Sequence, residues 1–155
     1  MRRNDREVKS QEEIRSIIKS SDVCRVAFAD NNTPYIVTMN FGFVDGGIPL
    51  LYFHCAPEGR KIEIIRKNNY VCFEMDTDHV IYSGEKGCDW GMKFRSVIGY
   101  GRIFIAEGEA ERIKGLNAVM EHYGGKGPFT YAGSVMKRTT VLRLEIEEMT
   151  GKSKQ

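Results

Sequence analysis

Hydrophobic positions change their period several times along the chain. Ser10-Gln11-Glu12-Glu13 has the form of a capping box, a hydroxyl residue followed three positions later by Glu. Ile14, Ile17 and Ile18 then recur at helical spacing, which predicts a helix over 10–20. From Val23 the period shortens. Val23–Ala29 is apolar and partly β-branched, and Asp30-Asn31-Asn32 follows as a turn cluster. In Pro34–Val44, Tyr35, Val37, Met39, Phe41 and Phe43 alternate with Ile36, Thr38, Asn40 and Gly42. A period of two predicts one strand with its larger residues on one face. Asp45-Gly46-Gly47 makes a further turn and Leu50–Cys55 a third strand.

Pro57-Glu58-Gly59 breaks that strand, and Lys61–Lys67 reads as a helix with Asn68-Asn69 as its stop. Val71–Met75 is the next strand and Ser83–Gly91 a polar loop. Arg95–Ala106 is a long strand interrupted by Gly99 and Gly101, which signal a bulge, a bend or a close backbone approach. Residues 109–123 carry Ile113, Leu116, Met120 and Tyr123 on one helical stripe, Gly124–Gly133 is a loop, and Thr140–Ile146 is the last strand. The total is about six or seven strands and two or three short helices. Many short strands joined by tight turns predict a mainly β, antiparallel barrel or sandwich.

Composition narrows this picture by exclusion. The chain has 155 residues, enough for one ordinary domain. Its formal charge of +2 is too even to call for a nucleic-acid partner. No apolar run approaches the ~20 residues of a membrane span. The N-terminus MRRNDREVKSQEE has a positive start without the apolar stretch of a signal peptide, so a cytoplasmic location is expected. Cys24, Cys55, Cys72 and Cys88 include no C-x-x-C pair, so ordinary reduced thiols and no metal site are expected. His79 and His122 have no partner at metal-ligand spacing, and His122 reads as a surface or packing residue.

One segment carries candidate chemistry. In Tyr52-Phe53-His54-Cys55-Ala56-Pro57-Glu58-Gly59-Arg60-Lys61 a strand ends, the chain turns and a helix begins. Free N–H groups of a first helical turn attract anions. His54, Arg60 and Lys61 add donors at the same place, and Arg grips a phosphate bidentately. Basic residues at a helix N-terminus oppose its dipole, a conflict that an anionic ligand removes. A solvated basic face remains the alternative.

Four stretches resemble the pyridoxamine 5'-phosphate oxidase-like flavin-binding split barrels, specifically their Nim-type branch, named for 5-nitroimidazole resistance. They are Arg25–Ala27 with Pro34–Phe43 (within CRVAFADNNTPYIVTMNFGF), Leu51–Lys61 (LYFHCAPEGRK), Phe94–Ile103 (FRSVIGYGRI) and Ile146–Lys152 (IEEMTGK), with Cys88-Asp89-Trp90 before the third. The resemblance spans nearly the whole chain in the same order. It implies one split-barrel domain of antiparallel strands over 1–155, with 1–9 as a flexible or partner-crossing arm. It also implies a homodimer with flavin at the subunit interface. By the same resemblance His54, Arg60 and Lys61 lie at the flavin phosphate. Val37, Thr38, Met39 and Asn40 run beside the isoalloxazine ring, and Arg95, Ser96 and Val97 complete the pocket. FMN is the default cofactor and FAD the alternative, with heme a further one because relatives of the fold bind it.

The function implied is a flavin-dependent oxidoreductase that takes electrons from a nicotinamide or another donor and reduces a small organic acceptor, with nitroaromatics as the suggested class. The reactive chemistry then belongs to the cofactor, and no catalytic acid or base is assigned. The alternative is a carrier or redox sensor that binds flavin or heme without turnover. The pyridoxamine phosphate oxidase reaction is disfavoured, because Glu147-Glu148-Met149-Thr150-Gly151-Lys152 stands where those enzymes carry a basic and aromatic substrate-binding segment.

Overall fold

The structure is a computed structural model that describes residues 3–155. After a short turn at Asn4–Arg6, β1 (Glu7–Val8) leads into α1 (Gln11–Ser20), β2 (Cys24–Asp30), β3 (Thr33–Met39), β4 (Gly42–Val44), β5 (Leu50–Cys55) and α2 (Arg60–Lys67). The second half runs β6 (Tyr70–Tyr82), β7 (Gly91–Ile105), α3 (Glu109–His122), α4 (Gly133–Arg138) and β8 (Thr140–Lys154). Every ladder is antiparallel, and the strands follow the order β3-β2-β6-β7-β8-β5-β4, with β1 added to β8. This is the mainly β, antiparallel split barrel implied by the resemblance.

Local chemistry explains most boundaries. Ser10 caps α1, its Oγ accepting the Glu13 N–H at 3.3 Å, and Ile14, Ile17 and Ile18 are buried. Asn31 and Asn32 take φ of 47° and 67°, as the two-residue turn between twisted antiparallel strands requires. Both glycine signals in β7 are close approaches. A Cβ at Gly99 would lie 2.3 Å from the Phe73 ring, and one at Gly101 would lie 2.0 Å from the Glu145 carbonyl. The β7–β8 register also slips between Tyr100 and Gly101, leaving Glu147 as the extra residue of a bulge.

Four expectations about individual elements are corrected. Pro34–Val44 is two strands. The alternation continues through Phe41, but β3 pairs with β2 while β4 pairs with β5, so the ladder partner changes at Asn40–Phe41. The strand expected over Val71–Met75 extends to Tyr82, and the one over Thr140–Ile146 extends to Lys154. The outer half of β6 is exposed and is held by the β6–β7 ladder, whereas that of β8 is held by β7 and β1 and lies against Val8 and Ile14 through Gly151, so neither carries an apolar alternation. The helix α4 follows the predicted loop, where no helix was expected. Of the segment expected as an arm, Glu7 and Val8 pair with Lys152 and Gly151 of the same chain, and Val8 is buried. Met1 and Arg2 lie outside the described residues.

The main core fills the barrel, with Val26, Phe28, Phe41, Leu51, Phe53, Phe73, Met75 and Val97 at its centre. A smaller core of Tyr52, Ala106, Ala118, Val119 and Val141 lies under α3. Tyr52 donates its hydroxyl to Glu111 of α3 at 2.6 Å, which holds that carboxyl below its ordinary pKa. This helix meets the sheet backbone against backbone at Gly42, where a Cβ would lie 2.3 Å from the Ala118 main chain. Gly42→Ala is therefore expected to cost about 3 kcal/mol, the upper end for overpacking, because main chain cannot swing aside as a side chain can. Urea unfolding of the variant measures this, and a loss under 1 kcal/mol would show that α3 is loosely held.

Candidate cofactor site

The ends of the strand order, β3 and β4, are consecutive in the chain and separated only by Asn40 and Phe41. Among the described residues no ladder joins β3 to β4 or β5, so the barrel is split there. The β4–β5 register sets Gly42 opposite Tyr52. Extended by two residues, it would set Asn40 across the split from His54. Asn40 and His54 are both exposed.

The start of α2 stands at the same mouth. Its N-cap is Gly59, with φ of 122° and no side-chain cap, and the space about its Cα is open. Positive φ favours glycine there. The Gly59 carbonyl accepts from the Ile62 and Glu63 N–H groups and no side chain caps the turn, which leaves an anion-accepting helix end. Arg60 is half-exposed. Its guanidinium lies 4.7 Å over the Tyr35 ring, and its Nη2 is 3.5 Å from Asp30 Oδ2. Tyr35 is on β3 and Asp30 ends β2, so Arg60 is steered toward the split by groups from the hairpin it faces. Lys61 is partly buried beside Cys55. Burial pushes that thiol's pKa up while the Lys61 charge pulls it the other way.

The β3 residues divide by face. Met39 is buried and Val37 half-buried against the core, whereas Thr38 and Asn40 point outward. Side-chain contact with a ligand at the mouth is open to Thr38 and Asn40; Val37 and Met39 can offer backbone along this edge strand. The structure thus gathers β3, His54, Arg60 and Lys61 around the split.

Arg95, Ser96 and Val97 stand apart. They lie on β7, with β2 and β6 between them and β3, about 14 Å at the usual strand spacing. Val97 faces the core and is fully buried. Arg95 is drawn to Asp78 by an ion pair across the β6 bulge. Ser96 shares the outer face with Thr38, since the rungs Thr38–Arg25–Glu74–Ile98 run across four strands and Ser96 is two residues from Ile98.

Sequence reading missed Tyr35 and Asp30 as partners of Arg60. Each is about thirty residues from Arg60 or nearer, but no spacing marks a contact made only when a hairpin and a helix meet. His122, read as a surface or packing residue, does pack, its ring 4.1 Å from Phe41 at the corner of the split; its hydrogen-bond contact with the Ser21 carbonyl carried no sequence signal.

A family model described as pyridoxamine 5'-phosphate oxidase matches residues 10–153. The chain belongs to that family. Among solved structures, it is 32% identical to a candidate 5-nitroimidazole antibiotic resistance protein from Bacteroides thetaiotaomicron, over 95% of this chain and 86% of that one, with a TM-score of 0.82. This agrees with the Nim-type branch of the family. An FAD-binding protein from Mesorhizobium loti is 22% identical over 97% of this chain and 98% of its own, with a TM-score of 0.69. An FAD- and heme-binding protein from Mycobacterium smegmatis is 14% identical over 97% of this chain and 74% of its own, with a TM-score of 0.81. These two share the split-barrel fold. No curated protein matches the chain. Among the described residues no helix is long and apolar enough to cross a membrane.

Proposed function

We propose that this chain binds a flavin at the split of its barrel and works in the cytoplasm as a flavin-dependent oxidoreductase on a small organic acceptor. The observation that carries the reading is the basic, uncapped start of α2 standing beside the exposed β3 edge, within a chain of the pyridoxamine 5'-phosphate oxidase family. The donor set fits the cofactor. Arg60, Lys61 and His54 suit a phosphate, and the Thr38–Asn40 edge offers backbone and small polar groups to the carbonyl side of a flat ring.

Bound flavin supplies the hydride and electron transfer. The protein's part is to hold it. Arg60, already oriented by Asp30 and Tyr35, loses less side-chain freedom on gripping a phosphate than a free arginine would. FMN, with one phosphate at the end of its chain, matches this single cup. The nitroaromatic acceptor class rests on the similarity to the Bacteroides protein.

A second copy of the chain completes the site in this reading. The outer face of β3, β2, β6 and β7 exposes Ile36 at 63% and Ile98 at 45%, while Arg25 on the same face is neutralised by Glu74 and Asp76. Pairing such faces about a two-fold axis would carry Ser96 and Arg95 of one copy toward the β3 edge of the other.

The purified protein is expected to show flavin absorbance bands. After anaerobic reduction, a nitroaromatic pulse should reoxidise it. A Soret band in their place would turn the reading to heme, a colourless protein that takes up neither cofactor would end it, and failure to reoxidise with any acceptor would make it a carrier. Replacing Arg60 and Lys61 together by Ala should weaken FMN at least ~100-fold, on the scale of two lost charge-assisted bonds, and leave riboflavin binding little changed. Equal losses for both ligands would remove the phosphate from the cup. Ile98→Arg should convert a dimer to a monomer in sedimentation experiments and lower flavin occupancy with it; an unchanged dimer would place the subunit contact elsewhere.

A further inference from the structure

The corner between the two ladders is held by residues from the far end of the chain. Cys24–Met39 is the last rung of β2–β3 and Gly42–Tyr52 the first of β4–β5, so Asn40 and Phe41 have no strand partner. The Phe41 N–H instead donates to the Tyr123 hydroxyl oxygen at 3.3 Å. That hydroxyl donates in turn to the Asp22 carbonyl at 2.6 Å, in the link between α1 and β2. Beside it, His122 Nε2 lies 2.9 Å from the carbonyl of the buried Ser21. A carbonyl only accepts, so Nε2 carries the proton. The imidazole also packs on the buried Phe41 ring, with 4.1 Å between centroids.

These contacts clamp three segments that lie 82 and 101 residues apart in sequence. The clamp is stiff, because α3 meets Gly42, the residue after Phe41, backbone against backbone. A core phenylalanine needs only packing. A corner that has left one ladder and not yet joined the next needs an acceptor for its N–H, and Tyr123 supplies it.

We infer that Tyr123 and His122 are positioning residues that set the Thr38–Asn40 edge for the ring end of the cofactor. The inference rests on the flavin reading above. The corner is continuous with that edge, so a shift of Phe41 moves Asn40 directly. By contrast, the α2 cup is held by Asp30 and Tyr35 and does not depend on the clamp.

The test compares full-length wild type with Tyr123→Phe, which keeps the ring and loses both hydroxyl hydrogen bonds, and His122→Phe, which keeps a ring and loses one. Met120→Ala, at an exposed position on the same helix, is the control. FMN and riboflavin affinities and the visible circular dichroism of bound flavin are measured. Both variants are expected to fold cooperatively, to weaken the two ligands by the same factor of about ten, the scale of one lost hydrogen bond, and to change the visible dichroism. The control should change none of these. Folded variants with wild-type affinities and dichroism would overturn the inference. So would a loss confined to FMN, which would place the effect at the phosphate, or loss of cooperative unfolding in both variants, which would make the clamp purely structural. Wild type that binds neither ligand would sink the flavin reading itself, an outcome distinct from a binding wild type with unaltered variants.

Discussion

The structure turns on the place where one strand changes partners. A β-strand must satisfy its N–H and C=O groups along at least one edge. At Asn40–Phe41 the chain gives up β2 and takes up β5, so the two ends of the strand order become neighbours without a ladder between them. That arrangement curls the sheet around its core and leaves one slot where exposed backbone edge and solvent meet. The slot is tolerable because Tyr123, at the C-cap of α3, supplies the bond the ladder cannot, and because Gly42 lets α3 come within backbone contact.

Charge at the slot follows from what the turn after β5 must do. β5 ends at Cys55, and Gly59, four residues on, adopts a positive φ and begins α2 with no side-chain cap. The dipole at this end and the cations Arg60 and Lys61 work against one another in the absence of an anion. Asp30 offsets part of that repulsion through Arg60, at 3.5 Å and half-exposed, so it contributes little stability and serves mainly to orient the guanidinium. A surface arranged this way favours a ligand bearing its negative charge at one end.

Much of the fold was legible because it depends on local chemistry. The capping serine before α1, the Asn-Asn turn and the limits of Leu50–Cys55 all follow from neighbours within a few residues. The errors share a cause. Alternation continued smoothly from Tyr35 to Phe41 because both halves face one core, and side-chain period carries no record of which strand lies alongside. The outer reach of β6 was invisible because an exposed ladder needs no apolar pattern, and that of β8 because its buried position is a glycine covered by Val8 and Ile14.

By itself, the order of residues determined the antiparallel β class, the α1 cap and apolar stripe, and the basic turn at Gly59-Arg60-Lys61, since propensity, period and charge act over short separations. Only the tertiary structure decided that this turn faces the β3 edge across a split, that Asp30 and Tyr35 steer Arg60, that Arg95–Val97 lie three strands away in the same chain, and that Tyr123 and His122 hold the corner. Those relations join positions tens of residues apart, and they exist only once the hydrophobic interior has fixed which strands meet.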